Sequence, residues 1–132
     1  MADLTRKILL VDDEKNMVAL LRFELEQLHY QVSHAYNGEE GFQRYLEEKP
    51  HLIILDLHLP HLHGYEVCRR IRREKKDAHT PILILTARKE EMSGEVERII
   101  GRVIGIQRYM TKPFEIEELL NQIDDLMNSR QT

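Results

Sequence analysis

The sequence predicts an α/β protein built on a doubly wound parallel sheet. Three observations carry that expectation. The apolar runs Ile8–Val11, Leu52–Leu55 and Ile82–Leu85 lack the alternation of a half-exposed strand, and so suit strands covered on both faces. Between them lie segments whose apolar residues recur at helical spacing. Turn-forming residues separate the two kinds: Asn37-Gly38, Pro60 with Gly64, Thr80-Pro81 and Lys112-Pro113.

Taken in chain order, the elements form five βα units. The run Ile8–Val11 is the first strand, and Met17, Leu21, Leu25 and Leu28 share one face of the helix after it. A weaker strand at Val32–Tyr36 precedes a helix whose apolar face is Gly41, Phe42, Tyr45 and Leu46. The strand Leu52–Leu55 leads to a third helix marked by Val67, Cys68 and Ile71. The strand Ile82–Leu85 leads to a fourth, marked by Val96, Ile99, Ile100 and Val103. Arg108–Thr111 is the second weak strand, and Ile116, Leu119, Leu120, Ile123 and Met127 define the last helix.

Bulk properties bound the function. A chain of 132 residues, 42% hydrophobic and 32% charged, closes one core without disulfides and is not compositionally disordered. A net charge of −4 excludes a strongly basic nucleic-acid footprint at the level of the whole chain. Cys68 is alone and forms no internal disulfide, which suits a reducing compartment. The polar start Met1–Lys7 does not read as a secretory leader, and no apolar stretch nears the roughly 18 residues of a membrane span. The expectation is a cytoplasmic protein of one domain over residues 1–132, with its core over about 7–127 and no effector domain.

In doubly wound sheets the functional site lies at the carboxyl ends of the strands. The residues that end the apolar runs there carry chemistry: Asp12, Asp13 and Glu14 after the first strand, Asp56 after the third, Thr86 after the fourth, and Lys112-Pro113 after the fifth. Carboxylates converging in one pocket repel one another unless a cation neutralises them. Lys112 and a divalent cation both serve, and an all-oxygen ligand set completed by water suits Mg²⁺. A carboxylate can be a nucleophile toward a phosphoryl group. A threonine hydroxyl and a lysine ammonium nearby would hold the phosphate that results.

The strings Val11-Asp12-Asp13-Glu14, Ile54-Leu55-Asp56-Leu57, Pro60 with Gly64, Leu85-Thr86-Ala87-Arg88 and Tyr109-Met110-Thr111-Lys112-Pro113-Phe114 resemble those of bacterial response-regulator receiver domains. The resemblance runs from about Lys7 to Leu126. It implies strand order 2-1-3-4-5 with five helices, Asp56 as phosphoacceptor, and Mg²⁺ held by Asp12, Asp13, Asp56 and the backbone carbonyl of His58. It implies Thr86 as switch hydroxyl, Tyr109 as switch aromatic, Lys112 as phosphate-binding lysine, and a cis bond before Pro113. It also implies a signalling switch charged by a sensor histidine kinase or phosphotransfer protein. Such a switch catalyses its own phosphorylation and slow dephosphorylation but is otherwise no enzyme. A homodimer would use the face made by the fourth helix, fifth strand and fifth helix. The resemblance is strongest to receivers of winged-helix regulators; no direct nucleic-acid or membrane binding is expected of this domain.

Several positions depart from the family pattern. His63 stands where an acidic or small polar residue usually precedes the glycine. His58 and Arg88, each two residues past a site residue, are expected to tune autodephosphorylation. The stretch from Thr86 to Lys112 is about four residues longer than is usual in the family, with the excess placed in Lys89–Glu95. Ile106 is bulkier than the usual alanine, so the fourth helix is expected to be longer, shifted or mobile.

Competing readings are weaker on chemistry. A haloacid-dehalogenase-like phosphatase would want Asp-x-Asp after the first strand, not adjacent aspartates. A flavodoxin-like binder would want a Ser/Thr/Gly-rich phosphate loop there. A receiver-like module working without phosphate has no need of all five site residues. His58, His61 and His63 read as solvated loop histidines rather than a transition-metal site, and Cys68 as a small helix residue. The basic run Arg69–Lys76 reads as the wet face and end of the third helix.

Overall fold

A computed structural model describes residues 5–87 and 95–129. Five parallel strands, β1 (Lys7–Val11), β2 (Gln31–Ala35), β3 (Leu52–Asp56), β4 (Ile82–Thr86) and β5 (Arg108–Thr111), form one sheet in the order β2-β1-β3-β4-β5. The helices are α1 (Lys15–Gln27), α2 (Gly38–Glu48), α3 (Gly64–Arg69), α4 (Glu95–Ile104) and α5 (Ile116–Ser129). A π-helical turn, Arg70–Glu74, extends α3 and closes with Lys75 N–H donating to the Arg70 carbonyl at 3.1 Å.

The three apolar runs are the central strands, and every residue of β3 and β4 is buried. Successive side chains of a strand leave opposite faces, so each run feeds two cores. Ile8, Leu10, Leu52, Ile54, Leu83 and Leu85 pack against α1 and α5 through Val18, Leu21, Leu25, Leu119 and Ile123. Leu9, Val11, Ile53, Leu55, Ile82 and Ile84 pack on the other side against Tyr45, Val67, Cys68 and Ile71. Each fully buried Leu or Ile contributes about 2 kcal/mol, so the sheet, not the helix propensities, holds the fold together.

Three expectations need correction. β2 starts and ends one residue earlier than the sequence suggested. Leu28 follows the last turn of α1 and is 52% exposed. Val18 takes the core place instead, because the helix presents 18, 21 and 25 to the sheet. On α4, Ile99 and Val103 are 52% and 69% exposed, while Gly101 is buried and Ile104 packs on the core. Arg88 and residues 89–94 lie outside the described residues, and Glu95 is already helical.

The basic run also holds a surprise. Arg69 and Arg70 do pair on the surface with Glu66, as a solvated face would. Arg72 turns inward and donates to the carbonyls of Asp77 (2.9 Å), Thr80 (2.7 Å) and Gly105 (2.9 Å). It therefore ties the loop before β4 to the turn before β5. Beside it, Asp77 accepts from Thr80 Oγ1 (2.6 Å), Tyr45 OH (2.7 Å) and the amides of His79 and Thr80. Burial would raise the Asp77 pKa, but these donors outweigh it and hold the carboxyl well below its ordinary 3.8. A depressed carboxylate stabilises above its unfolded pKa and loses that contribution as pH falls through the folded one. Asp77→Ala should therefore lower the unfolding free energy at neutral pH by about 2 kcal/mol. In urea titrations the gap to native protein should narrow below pH 3.8; a gap that does not change with pH would refute the charge argument.

Candidate functional site

The parallel register brings the strand-end residues to one rim. Val11 pairs with Leu55, and Asp56 with Leu85, so Asp12 and Asp56 leave neighbouring strands side by side. Thr86 pairs with Thr111, which places Lys112 just beyond β5. Two backbone bonds extend the ladder past the strand ends: Asp12 N–H to the Ala35 carbonyl (3.1 Å) and Lys112 N–H to the Thr86 carbonyl (2.8 Å). The Lys112–Pro113 bond is cis.

Lys112 is the hub. Its Nζ lies 2.7 Å from Asp12 Oδ2, 2.9 Å from Glu14 Oε2 and 3.3 Å from Asp56 Oδ2. Burial would lower its pKa, but these carboxylates hold the ammonium above its ordinary value, so it stays charged at neutral pH. Asp12 shows the opposite balance. Burial pushes its carboxyl up, and contact with Lys112 and the Glu14 amide only partly reverses this.

One ammonium does not neutralise the rim. Carboxylate oxygens of Asp12, Asp13 and Asp56 lie within 4.8 Å of one another, with Asp12 and Asp56 buried and Asp13 exposed. Buried Asp12 Oδ2 has Lys112 Nζ as its ion-pair partner at 2.7 Å, and Lys112 divides its single charge among Asp12, Glu14 and Asp56. A hard divalent cation fits that combination of excess negative charge and oxygen-only donors.

The loop after β3 is fixed around the same carboxylates. His58 N–H donates to Asp56 Oδ1 at 3.2 Å, which sets the backbone of residue 58 against the site. Gly64 N–H returns to the Leu57 carbonyl at 2.8 Å. A Cβ at Gly64 would lie 2.6 Å from the Asp56 carbonyl oxygen, so only glycine lets α3 start this close to the phosphoacceptor candidate. His63 caps α3, its Nδ1 accepting the Tyr65 N–H at 3.1 Å.

Thr86 is fully buried at the end of β4. Tyr109 is half-buried on β5, its hydroxyl 3.3 Å from that of Tyr65. Six of the seven expected residues thus lie at one rim; Tyr109 sits within β5 opposite Ile84, on the sheet face that meets α3 and α4. Sequence reasoning noted Glu14 but not its pairing with Lys112, and it missed Tyr65 and Gly101, which have no local motif. An apolar groove of about 520 Å³ runs beside Lys112, between Met17, Leu20 and Leu21 of α1 and Pro113, Phe114 and Ile116. A second cavity, about 410 Å³, opens at the opposite rim, far from these carboxylates.

Comparison with known proteins agrees with the geometry. Residues 8–124 match the model of the response regulator receiver domain family. The alkaline phosphatase synthesis transcriptional regulatory protein PhoP of Bacillus subtilis is 44% identical over 116 residues, 88% of this chain and 46% of that protein. The response regulator ArlR of Staphylococcus aureus is 41% identical over 117 residues, 89% of this chain and 50% of that protein. The chain thus spans about half the length of the curated relatives it matches. Among solved structures, the non-phosphorylated HemR receiver domain of Leptospira biflexa superposes with a TM-score of 0.81 at 32% identity, covering 93% of this chain and 94% of that one. A CheY-like receiver from Methanospirillum hungatei shares the fold, with a TM-score of 0.85 at 21% identity, covering 96% of this chain and 97% of that one.

Proposed function

Because this chain belongs to the response regulator receiver domain family, whose general role is phosphorylation switching in two-component systems, we propose that it is a switch charged on Asp56 by a sensor histidine kinase or a phosphotransfer protein. Residues 1–132 act as one receiver domain, working in the cytoplasm. Members of this family are not classical enzymes, and this chain's own catalysis is confined to gaining and losing its phosphate.

The observation that supports this reading most is the charge imbalance at the rim, where buried Asp12 and Asp56 share one ammonium with Glu14 and Asp13 adds a further carboxylate. Asp12, Asp13, Asp56 and the His58 carbonyl would hold Mg²⁺, which when bound supplies positive charge to the transferring oxygens. The remaining work falls to the chain. An Asp56 oxygen attacks phosphorus while the bond from phosphorus to the donor imidazole breaks, its electron pair staying on that nitrogen. Lys112 neutralises the charge that grows on the phosphoryl oxygens.

The new acyl phosphate carries about −1.5 to −2 charges. Thr86 donates its hydroxyl to it, and Tyr109 moves into the space released. Partner affinity on the α4–β5–α5 face changes with that population. Ile99 and Val103, exposed on α4, give this face apolar area for a homodimer.

The test is intact mass after incubation with acetyl phosphate, with and without Mg²⁺. One phosphate per chain, dependent on Mg²⁺, is expected. No gain with either acetyl phosphate or a competent kinase sinks the proposal, and turnover of many phosphate esters would favour a phosphatase.

A further inference from the structure

We propose that Tyr65 is a positioning residue which, with Gly101, holds the Tyr109 hydroxyl in a slot between α3 and α4. The Tyr65 and Tyr109 hydroxyls lie 3.3 Å apart. On the other side, a Cβ at Gly101 would come within 2.5 Å of the Tyr109 hydroxyl and 3.2 Å of its ring. The slot exists because position 101 has no side chain. Movement of Tyr109 must therefore break its contact with Tyr65.

Tyr65 is itself tied to the loop that follows the phosphoacceptor. Its N–H is held by His63 Nδ1, and its ring packs on the His63 ring at 5.5 Å between centroids. His63 in turn meets the edge of His58 at 5.3 Å, and the His58 N–H is bonded to Asp56. A continuous line of contacts thus runs from Asp56 to Tyr109 along α3, separate from the route through Thr86. It turns Tyr65 into a latch: with Asp56 a plain carboxylate, Tyr109 is held against α3, and the latch opposes its release.

This inference rests on the reading of Tyr109 as the moving aromatic, and the experiment separates the two. Native protein, Tyr65→Phe, Gly101→Ala, Tyr109→Phe and the double variant Tyr65→Phe/Tyr109→Phe are titrated with beryllofluoride and Mg²⁺. Ring-labelled tyrosine NMR follows Tyr109, assigned by its loss in Tyr109→Phe. Tyr65→Phe keeps its ring and its fold, and should bind beryllofluoride about two- to tenfold more tightly, the range of one neutral hydrogen bond. Gly101→Ala should shift affinity the same way. In the Tyr109→Phe background, Tyr65→Phe should change nothing, a non-additivity that a merely structural role would not produce.

If the native Tyr109 signal responds to beryllofluoride but Tyr65→Phe binds it no more tightly, the latch is refuted and the switch reading stands. If Tyr109 does not respond in native protein, the switch reading falls and the latch with it. Should Gly101→Ala not fold, Tyr65→Phe alone decides.

Discussion

Asp56→Asn should remain folded and gain no phosphate, where the native chain gains about one. The substitution is nearly isosteric at a residue only 8% exposed. The asparagine oxygen can still accept the His58 N–H, so the loop after β3 keeps its anchor. Its amide nitrogen is no nucleophile toward phosphorus. Facing Lys112 at 3.3 Å, the new amide loses an attraction. It also removes a like charge that pushes the Asp12 carboxyl up. Without divalent cation the variant should therefore melt close to the native temperature. Intact mass and a melting curve check both halves. Full phosphate gain in the variant would move the acceptor to another carboxylate.

Lys112→Met should damage stability and phosphorylation together. Methionine replaces the aliphatic stem but leaves buried Asp12 and Asp56 without their shared ammonium. Removing one partner of a buried pair costs about 3 kcal/mol. The raised pKa of Lys112 fixes the pH dependence. Its contribution is complete below the ordinary lysine value of 10.5 and is lost only as pH rises through the higher folded value. At neutral pH the full difference between native and variant should be seen. It should shrink in acid, where the carboxylates protonate, and Mg²⁺ should restore part of it. Phosphorylation should slow by about 100-fold or more, the usual effect of losing one charge-stabilising donor. Denaturant titrations with and without Mg²⁺, and mass-resolved time courses, measure the two effects. A variant as stable and as reactive as native protein would remove Lys112 from the site.

Most of the fold could be read from the sequence because strands buried on both faces leave an unmistakable signature. Ile8–Val11, Leu52–Leu55 and Ile82–Leu85 need no partner information to be recognised as strands. The residues that follow them reach one rim because parallel strands all end on the same side. The weak points share a physical cause. An apolar stripe shows that a helix has a face, but not what covers it. Ile99 and Val103 therefore looked like core and are exposed, while Gly101 does the packing. Arg72 was hidden in a run of cations because its partners are backbone carbonyls, which any residue supplies. Tyr65 and Tyr109 are far apart in sequence, and nothing local to either announces the pair.

The buried thiol of Cys68 has a practical consequence. It is fully enclosed beneath the sheet, and that burial pushes its pKa up to about 12, so it is protonated and shielded from reagents at neutral pH. No other cysteine occurs in the chain. A single cysteine introduced at an exposed site on α4, such as Ile99 or Val103, would react selectively with maleimide in an otherwise native background. The chain is thus already suited to carrying one spin label or fluorophore on the exposed side of α4 without first being stripped of its own thiol.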